Sequence, residues 1–391
     1  MLETTALLVA LVAAATISLY RLALRRIARR MPDADVPVQD EAASDVASVA
    51  FLTCTRADEA HIPGKIVNLA ACRAAVPGSR AILFVDGGDA ADVARQMGDA
   101  DGVEIVASRE RIGKIEGLNR LLARAAADVA VLSDVNVFLS PERAREAVAR
   151  FADSQVGAVQ LVVENRQDDR ELAGALGGYS RSDLETSALE TRLASMVHLD
   201  GSACVVRTAC IRPLVPGMAD DQAMAYDVLL AGRRIVLEPA LAACEVGRTS
   251  LRSELSRKVR VACNSFCAHL HYRERLHVLP ARVKALYLFH KYLRWLLPFQ
   301  LALLGLLCAV ILWRLVGAQA FVALSLFGLA LVALAAAADV RARRIVVLVA
   351  FLAASGWGVA RAVAGRRFVS WQGSRSAADL AHERMAPEQR A

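Results

Sequence analysis

A short apolar run ends at an acidic residue near position 134 of the chain. Residues 129–136 read VAVLSDVN, so Asp134 follows a stretch of Val, Ala and Leu, and Asn136 comes two residues later. Such a run is typical of a buried strand in a parallel sheet, where ligands bind beyond the carboxyl ends of the strands. A carboxylate with a second oxygen ligand at i+2 can hold a hard divalent cation, which in turn can neutralise a diphosphate. The structural alternative is that Asp134 caps the helix predicted to begin near Pro141.

The elements around this motif alternate between strand and helix patterns. Residues 46–55, 81–88 and 103–108 are short apolar strands, whereas residues 62–75 and 114–128 place apolar side chains at helical spacing. This alternation predicts a parallel sheet with right-handed crossovers, a Rossmann-like nucleotide-binding scaffold. No GxGxxG follows the first strand and no GxxxxGK[ST] occurs, which argues against dinucleotide oxidoreductases and P-loop ATPases.

Acidic residues follow three of the predicted strands. They are Asp58 with Glu59 in a turn, Asp86 at a strand end, and Asp134. Because the carboxyl ends of parallel strands meet at one edge of a sheet, we expect these side chains to line a common rim. Their convergence favours a binding site over three unrelated strand ends.

Apolar segments at both ends of the chain predict membrane attachment. Of the 391 residues 55% are hydrophobic, and residues 6–24 form an apolar run followed by arginines within residues 25–30, which indicates an uncleaved span. Arginines at residues 341–344 should lie on the same side of the membrane as those at 25–30, so residues 31–290 are expected in the cytoplasm. Three further apolar runs, the last of them short enough to be re-entrant, cover residues 295–313, 318–338 and 345–359.

The formal net charge of +7 is largely explained by these arginines, which anionic lipid headgroups attract, and we expect no nucleic-acid partner. The eight cysteines include no CxxC pair and are predicted to be free thiols. Zinc binding by Cys263, Cys267, His269 and His271 is not expected, because a helix would direct these side chains to different faces.

Eight sequence elements follow one another in a recognisable order. They are TRADE, VDGGDA, GKIEGLN, SDVN, FADSQVGAVQ, GSACVVR, ADDQAMAYDVLLAGRRIVLEPAL and RKVRV. This series resembles the inverting family 2 glycosyltransferases, in the membrane-associated branch of polysaccharide synthases and lipid glycosyltransferases. The resemblance covers about residues 46–300 and implies an α/β fold: a Rossmann-like GT-A nucleotide-sugar domain, an N-terminal transmembrane helix and a C-terminal membrane bundle of about three helices.

The resemblance implies roles for the donor side of the site. Asp58 and Asp86 match the residues that bind the base and ribose of a nucleoside diphosphate, and Lys114 should lie near the donor. Asp134 and Asn136 occupy the first and third positions of the metal-binding DxD motif, for which Mg²⁺ or Mn²⁺ is the expected ion. The neutral amide of Asn136 should weaken this metal site relative to a second carboxylate.

The resemblance also implies a catalytic base. Asp221 takes the position of the family's general base, with Asp220 in the acidic position before it. An inverting transfer needs a group that removes the proton of the acceptor hydroxyl while the cation stabilises the leaving diphosphate, so two acidic sites are required. Helix N-capping is the structural alternative for both residues. Gly201 and Ser202 resemble the family's turn under the acceptor.

The segment RKVRV matches the family's (Q/R)xxRW element. Arg257 and Arg260 could bind diphosphate or order the acceptor, although a basic helix face against lipid headgroups is the alternative. Val261 replaces the tryptophan, which favours single transfer to a lipid over processive synthesis. Glu185 and Glu190, on a predicted amphipathic helix, are possible acceptor-side residues or part of a solvated face.

We therefore predict a membrane-bound, metal-dependent inverting glycosyltransferase that uses a nucleotide sugar, with a UDP-sugar as the expected donor, and a lipid-linked or growing polysaccharide acceptor. The expected location is a bacterial inner or plasma membrane, multi-pass, with a cytoplasmic catalytic domain. A catalytically inactive GT-A-like membrane scaffold or binding protein is the alternative. The expected divisions are an anchor with a basic flank (1–30), a linker (31–45), the glycosyltransferase domain (46–250), interfacial amphipathic helices (251–294), transmembrane helices (295–363) and a polar tail (364–391).

Overall fold

A computed structural model describes residues 2–14, 16, 19–30, 46–92, 102–166, 170–246 and 251–369 of the chain. The predicted linker at residues 31–45 and most of the predicted tail, from residue 370 onward, lie outside the described residues.

The amino-terminal half of the sheet is parallel. Strand β1 (Val49–Arg56) lies between β2 (Arg80–Asp86) and β4 (Val129–Ser133), and β3 (Val103–Ser108) pairs with β2 at the outer edge. The apolar side chains of β1, β2 and β4 are buried on both faces, which is why these segments are continuous apolar runs rather than alternating ones. The predicted parallel α/β arrangement is confirmed for these strands.

Strand pairing is mixed in the second half. β7 (Ala203–Arg207) runs antiparallel to β4, β6 (Val156–Arg166) runs antiparallel to β7, and β8 (Arg234–Val246) runs parallel to β6. The short strand β5 (Val137–Leu139) is antiparallel to β8 and closes the far edge. The described residues thus form one eight-stranded sheet of order β3-β2-β1-β4-β7-β6-β8-β5. The expectation of parallel pairing does not extend to this half.

Helices cover both faces of the sheet. In the described part of the chain, α3 (Ile62–Ala75) and α5 (Pro141–Ala149) pack on one face, and α4 (Lys114–Ala125), α7 (Asp220–Leu230) and α8 (Leu251–Tyr272) pack on the other. Helix α4 shows the underlying pattern, since Leu118, Leu121 and Ala125 lie on one side of it and are buried in the core.

Two helical stretches among the described residues, Ala281–Ala338 and Val340–Val363, are long and apolar enough to cross a membrane. The first contains α9 (Ala281–Tyr287) and α10 (Leu293–Ala338), and the second is α11. Gly317 interrupts α10 with φ 79° and ψ 168°, so α10 and α11 provide three apolar segments in the described region, as the sequence predicts.

The amino-terminal apolar region contains α1 (Leu2–Ala14) and α2 (Tyr20–Ala28). With 13 residues, α1 is shorter than the roughly 20 residues that a complete span requires. It packs against α10, and membrane anchoring by this region stays a prediction.

Helix α8 packs along α11 at very short range. A Cβ atom added to Gly358 of α11 would lie 2.4 Å from the carbonyl oxygen of Val259 and 2.9 Å from the Cβ of Ala262. Only a glycine permits this approach of the two backbones. The helix that carries Arg257 and Arg260 is therefore fixed against an apolar helix.

Candidate active site

A cleft lies at the carboxyl ends of β1 and β4. The cleft is lined by Lys114, Asp134, Gly201 and Asp220 together with apolar side chains of β1, β4 and α7. Asp134 directly follows β4, so the strand end delivers its carboxylate to the cleft. This is the edge at which the sequence predicts ligand binding.

Lys114 joins the acidic groups of two elements. Its Nζ lies 3.0 Å from Asp134 Oδ1 and 3.2 Å from Asp220 Oδ2. Lys114 begins α4 directly after Gly113, whose φ of 87° lies in the left-handed region that glycine adopts without strain. Burial opposes the charged amine, but the charges of the two carboxylates outweigh it and hold the pKa of Lys114 well above its usual value. The ammonium therefore balances charge from both sides of the cleft.

Asp221 has a different environment from its neighbour Asp220. Its Oδ2 accepts a hydrogen bond from the Gly201 backbone N–H at 3.2 Å, and its Oδ1 accepts one from the Gln222 N–H at 2.6 Å. Burial, followed by the charges of Asp220 and Asp200, raises the pKa of Asp221 to about 7. A carboxyl group that exchanges its proton near neutral pH is suited to general base chemistry.

Neither aspartate caps α7. Ala219 occupies the N-cap position, and Asp220 and Asp221 are the first two residues of the helix. The N-terminal end of a helix favours negative charge, so this placement offsets part of the cost of burying two neighbouring acidic groups without a side-chain cap. The N-capping interpretation of these residues is therefore wrong, whereas the charge argument for a helix start holds.

The loop before β7 connects Asp134 to Asp221. The carbonyl oxygen of Ser202 accepts a hydrogen bond from the Asp134 N–H at 2.9 Å, while Gly201 donates to Asp221. Asp200 holds the loop, since its Oδ1 accepts from the N–H and the hydroxyl of Ser202 at 3.0 and 2.7 Å. The structure thus brings the predicted acceptor-side turn next to both acidic groups and adds Asp200, which sequence reasoning did not identify.

Asn136 contacts a second acidic residue that sequence reasoning missed. Its Nδ2 donates to Glu245 Oε1 at 3.3 Å across 109 positions of sequence. The antiparallel register of β5 and β8, in which Val137 pairs with Glu245, makes this contact possible. Burial, followed by the charge of Asp134, raises the pKa of Glu245. A second carboxylate is thus present beside the motif whose third position holds a neutral amide.

Asp86 and Asp58 lie at the same edge of the sheet as Asp134, but their partners differ from those of the cleft residues. Asp86 is buried, and its two carboxylate oxygens accept the backbone N–H groups of residues 112–113 at 2.7 and 3.2 Å. This fixes the loop that leads into α4. Asp58 pairs with Arg56, and its Oδ2 lies 3.6 Å from Arg111 Nη2. Donor binding by these two residues stays a prediction.

The two arginines of the RKVRV segment differ in their contacts. Arg257 is paired with Glu254 one helical turn before it, with three N···O distances of 3.1 to 3.2 Å. Burial, followed by the charge of Arg257, lowers the pKa of Arg260, while Asp134 and Asp220 act in the opposite direction. Arg260 therefore lies within electrostatic reach of the cleft carboxylates.

Glu185 and Glu190, near the end of α6 (Arg170–Leu193), contact helices near the chain ends. Their partners are the Arg21 and Arg25 guanidinium groups for Glu185, and the Tyr20 hydroxyl and His290 Nδ1 for Glu190. These contacts join α6 to α2 and to the segment before α10. Both carboxylates therefore stabilise the packing of helices and do not line the cleft.

A polar cluster of Asp183, His198 and His290 lies beside these pairs, with its candidate ligand atoms within 4.8 Å of one another. Arg294 Nη1 donates to Asp183 Oδ1 at 2.7 Å, and His290 Nε2 lies 3.3 Å from the same oxygen. His198 Nε2 lies 3.7 Å from the other oxygen, so both Asp183 oxygens have basic side chains of the chain beside them. We assign the cluster to the packing of residues 288–294 against α6.

Residues 47–264 match the family model described as "Glycosyltransferase like family 2", which is more than half of the chain. The chain belongs to this family, and the glycosyltransferase class predicted from its sequence elements is confirmed. No curated protein matches the chain.

Among solved structures, a mannosyltransferase from Pyrobaculum calidifontis in complex with GDP-Man and Mn²⁺ is similar, with a TM-score of 0.69 and 19% identity over 94% of this chain and 100% of that chain. This similarity confirms the GT-A fold. Two matches have lower scores. Glucosyl-3-phosphoglycerate synthase from Mycobacterium tuberculosis has a TM-score of 0.40 and 16% identity over 56% of this chain and 79% of that chain. S. aureus TarS 1-349 has a TM-score of 0.40 and 12% identity over 66% of this chain and 87% of that chain.

Proposed function

We propose that this chain transfers a sugar from a nucleotide sugar to an acceptor at a membrane surface, with inversion at the anomeric carbon. The observation that carries the proposal is the convergence of Lys114, Asp134 and Asp220 in one cleft. Asp221 lies beside it, hydrogen-bonded to Gly201 of the cleft wall. An inactive scaffold of the same fold would have no need for a cationic group between two acids or for a half-buried carboxyl with a raised pKa.

A divalent cation, Mg²⁺ or Mn²⁺, would be held by the Asp134 carboxylate with Asn136 and Glu245 beside it. Asp134 lines the cleft and its side chain is 38% exposed, and the three residues offer the oxygen ligands that hard cations prefer. The cation would supply positive charge for the diphosphate. The Mn²⁺ in the similar mannosyltransferase complex supports this choice.

Asp221 is the proposed general base. As the acceptor hydroxyl attacks the anomeric carbon, Asp221 takes the hydroxyl proton, and the bond from that carbon to the diphosphate oxygen breaks on the opposite face. The Gly201 N–H holds one oxygen of Asp221 and so orients the carboxylate. Lys114 and Arg260 provide positive charge in the cleft that favours departure of the diphosphate.

The packing of α8 on α11 supports an acceptor at a bilayer surface. The helix that carries Arg260 contacts an apolar helix long enough to span a membrane, so the cleft lies close to the proposed membrane plane. A lipid-linked or growing polysaccharide acceptor fits this arrangement. We retain the cytoplasmic placement and the domain divisions predicted from the sequence, because arginines flank the apolar segments at residues 25–30 and 341–344.

The test is release of nucleoside diphosphate from a panel of UDP- and GDP-sugars by membranes that contain the full chain, with a lipid extract as acceptor source. We expect UDP-sugar turnover that requires Mg²⁺ or Mn²⁺, and none from Asp221→Asn, which should still bind donor. If no donor is turned over with or without the extract, the scaffold alternative replaces this proposal. GDP-sugar turnover alone would correct the donor and retain the reaction.

A further inference from the structure

A lysine is buried beneath the segment that carries Asp134 and Asn136. Lys65 of α3 is 0% exposed, and its Nζ donates to Ser133 Oγ at 2.7 Å and to the Val137 carbonyl oxygen at 2.6 Å. Among the described residues, no carboxylate lies within ion-pair distance of this amine. Burial lowers the pKa of this amine to about 7, so the fold keeps a polar group in its interior at a cost in free energy.

The hydroxyl groups next to Lys65 have defined donor directions. Because the Lys65 amine donates to Ser133 Oγ, the Ser133 hydroxyl hydrogen can point to Thr53 Oγ1, 3.3 Å away. Thr53 in turn donates to the Ser133 carbonyl oxygen at 3.0 Å. The Lys65 amine, the Thr53 hydroxyl and the Ser133 hydroxyl then each donate to an acceptor. Both the side chain and the carbonyl group of Ser133, the residue before Asp134, are thereby held in place.

Asn68, one helical turn after Lys65, holds the other end of the same segment. Its Nδ2 donates to the Leu139 carbonyl oxygen at 2.7 Å, and the Leu139 N–H donates to Asn68 Oδ1 at 3.0 Å. The helix approaches the strand closely at Gly64, where an added Cβ would lie 3.1 Å from the Phe138 ring. Helix α3 therefore holds residues 133–139 by hydrogen bonds at Ser133, Val137 and Leu139.

We propose that Lys65 and Asn68 are positioning residues for the cation and diphosphate site. They hold residues 133–139 in the conformation that directs Asp134 and Asn136 into the cleft, although neither touches the substrate. The inference rests on the proposed function, because the cation site that Lys65 and Asn68 would position is part of that function. Groups that orient the ligands of a metal typically change its affinity by about 10–100-fold.

The test compares Lys65→Met with Cys72→Ala in the purified full chain. Cys72 is fully buried on the same face of α3, two helical turns after Lys65, and serves as the matched control. In Lys65→Met, we expect faster hydrogen–deuterium exchange in peptides covering residues 133–139 and a Mn²⁺ dissociation constant, measured by electron paramagnetic resonance, that rises about tenfold. The control should change neither quantity.

The sign of the Mn²⁺ result separates positioning from a simple charge effect. If Lys65 acted only as a nearby positive charge, its removal would tighten Mn²⁺ binding. Unchanged exchange with unchanged or tighter Mn²⁺ binding in folded Lys65→Met overturns the inference. If Lys65→Met does not fold, Asn68→Ala takes its place with the same expected and contradicting results.

A wild-type chain that binds no Mn²⁺ and turns over no nucleotide sugar would contradict the proposed function. The exchange measurement requires no metal, so it still shows whether Lys65 and Asn68 hold the segment. The two failures are thus distinguishable.

Discussion

Replacement of Asp221 by asparagine should affect turnover and stability in opposite directions. The pKa of Asp221 lies at about 7 rather than at its usual 3.8, because burial and then the charges of Asp220 and Asp200 disfavour the anion. At 1.36 kcal/mol per pKa unit, the ionised group destabilises the native state by about 4 kcal/mol at pH 8. An asparagine cannot ionise and avoids this loss.

The pH dependence follows from proton binding. The native chain holds the Asp221 proton more tightly than the unfolded chain, so the contribution of Asp221 to stability falls as the pH rises from about 4 to about 7. Asparagine gives up one of the two hydrogen bonds from the Gly201 and Gln222 N–H groups, which costs about 1 kcal/mol at any pH. The two effects should nearly cancel at about pH 5, and Asp221→Asn should be more stable than wild type by about 3 kcal/mol at pH 8.

Thermal unfolding of the detergent-purified chain at pH 5, 6, 7 and 8 measures this difference, which should correspond to about 2–4 °C per kcal/mol. Turnover of the same samples should fall at least about 100-fold, the usual contribution of a general base. Asp153→Asn, in the turn before β6, is the control and should change neither quantity. A difference in melting temperature that is constant from pH 5 to pH 8 refutes the raised pKa, and undiminished turnover refutes the assignment of the base.

Three further predictions concern the cation site and the core beneath it. Asp134→Ala should abolish metal-dependent binding of nucleoside diphosphate in titration calorimetry, and unchanged affinity at saturating Mn²⁺ would exclude Asp134 as a ligand. Glu245→Gln should weaken Mn²⁺ binding about tenfold in paramagnetic resonance titrations, whereas wild-type affinity would show that this carboxylate does not support the site. Gly117→Ala should lower stability by about 1–3 kcal/mol, because its Cβ would lie 2.6 Å from Cys54 Sγ. Gly305→Ala, whose Cβ meets nothing within 4 Å, is the matched control, and equal melting temperatures for both variants would contradict the packing argument.

The parallel half of the fold could be predicted because its strands are buried on both faces. Continuous apolar runs such as residues 129–133 follow directly from that burial. The mixed half could not be predicted in the same way, since the pairing of β5 with β8 joins segments more than 100 residues apart and depends on tertiary contacts. The break at Gly317 separates two apolar segments that hydropathy alone also separates.

The candidate site shows the same division. Asp134, Lys114 and Asp221 belong to sequence motifs, so their convergence could be predicted from the amino-acid sequence. Glu245 could not be identified, because it belongs to no motif and reaches Asn136 only through strand register. Lys65 could not be identified either, since a lysine on a predicted helix is ordinarily exposed and only the fold reveals its burial.

The contact of Gly358 with α8 has a geometric consequence for the choice of acceptor. Since the backbones of α8 and α11 touch there, Arg257 and Arg260 should move as one rigid body with the helix that we propose to cross the bilayer. The height of the cleft above the headgroups would then be set by helix length rather than by a hinge. Such an enzyme would select acceptors by the distance between their hydroxyl group and the membrane. It would reject an acceptor of suitable chemistry whose hydroxyl lies at another distance.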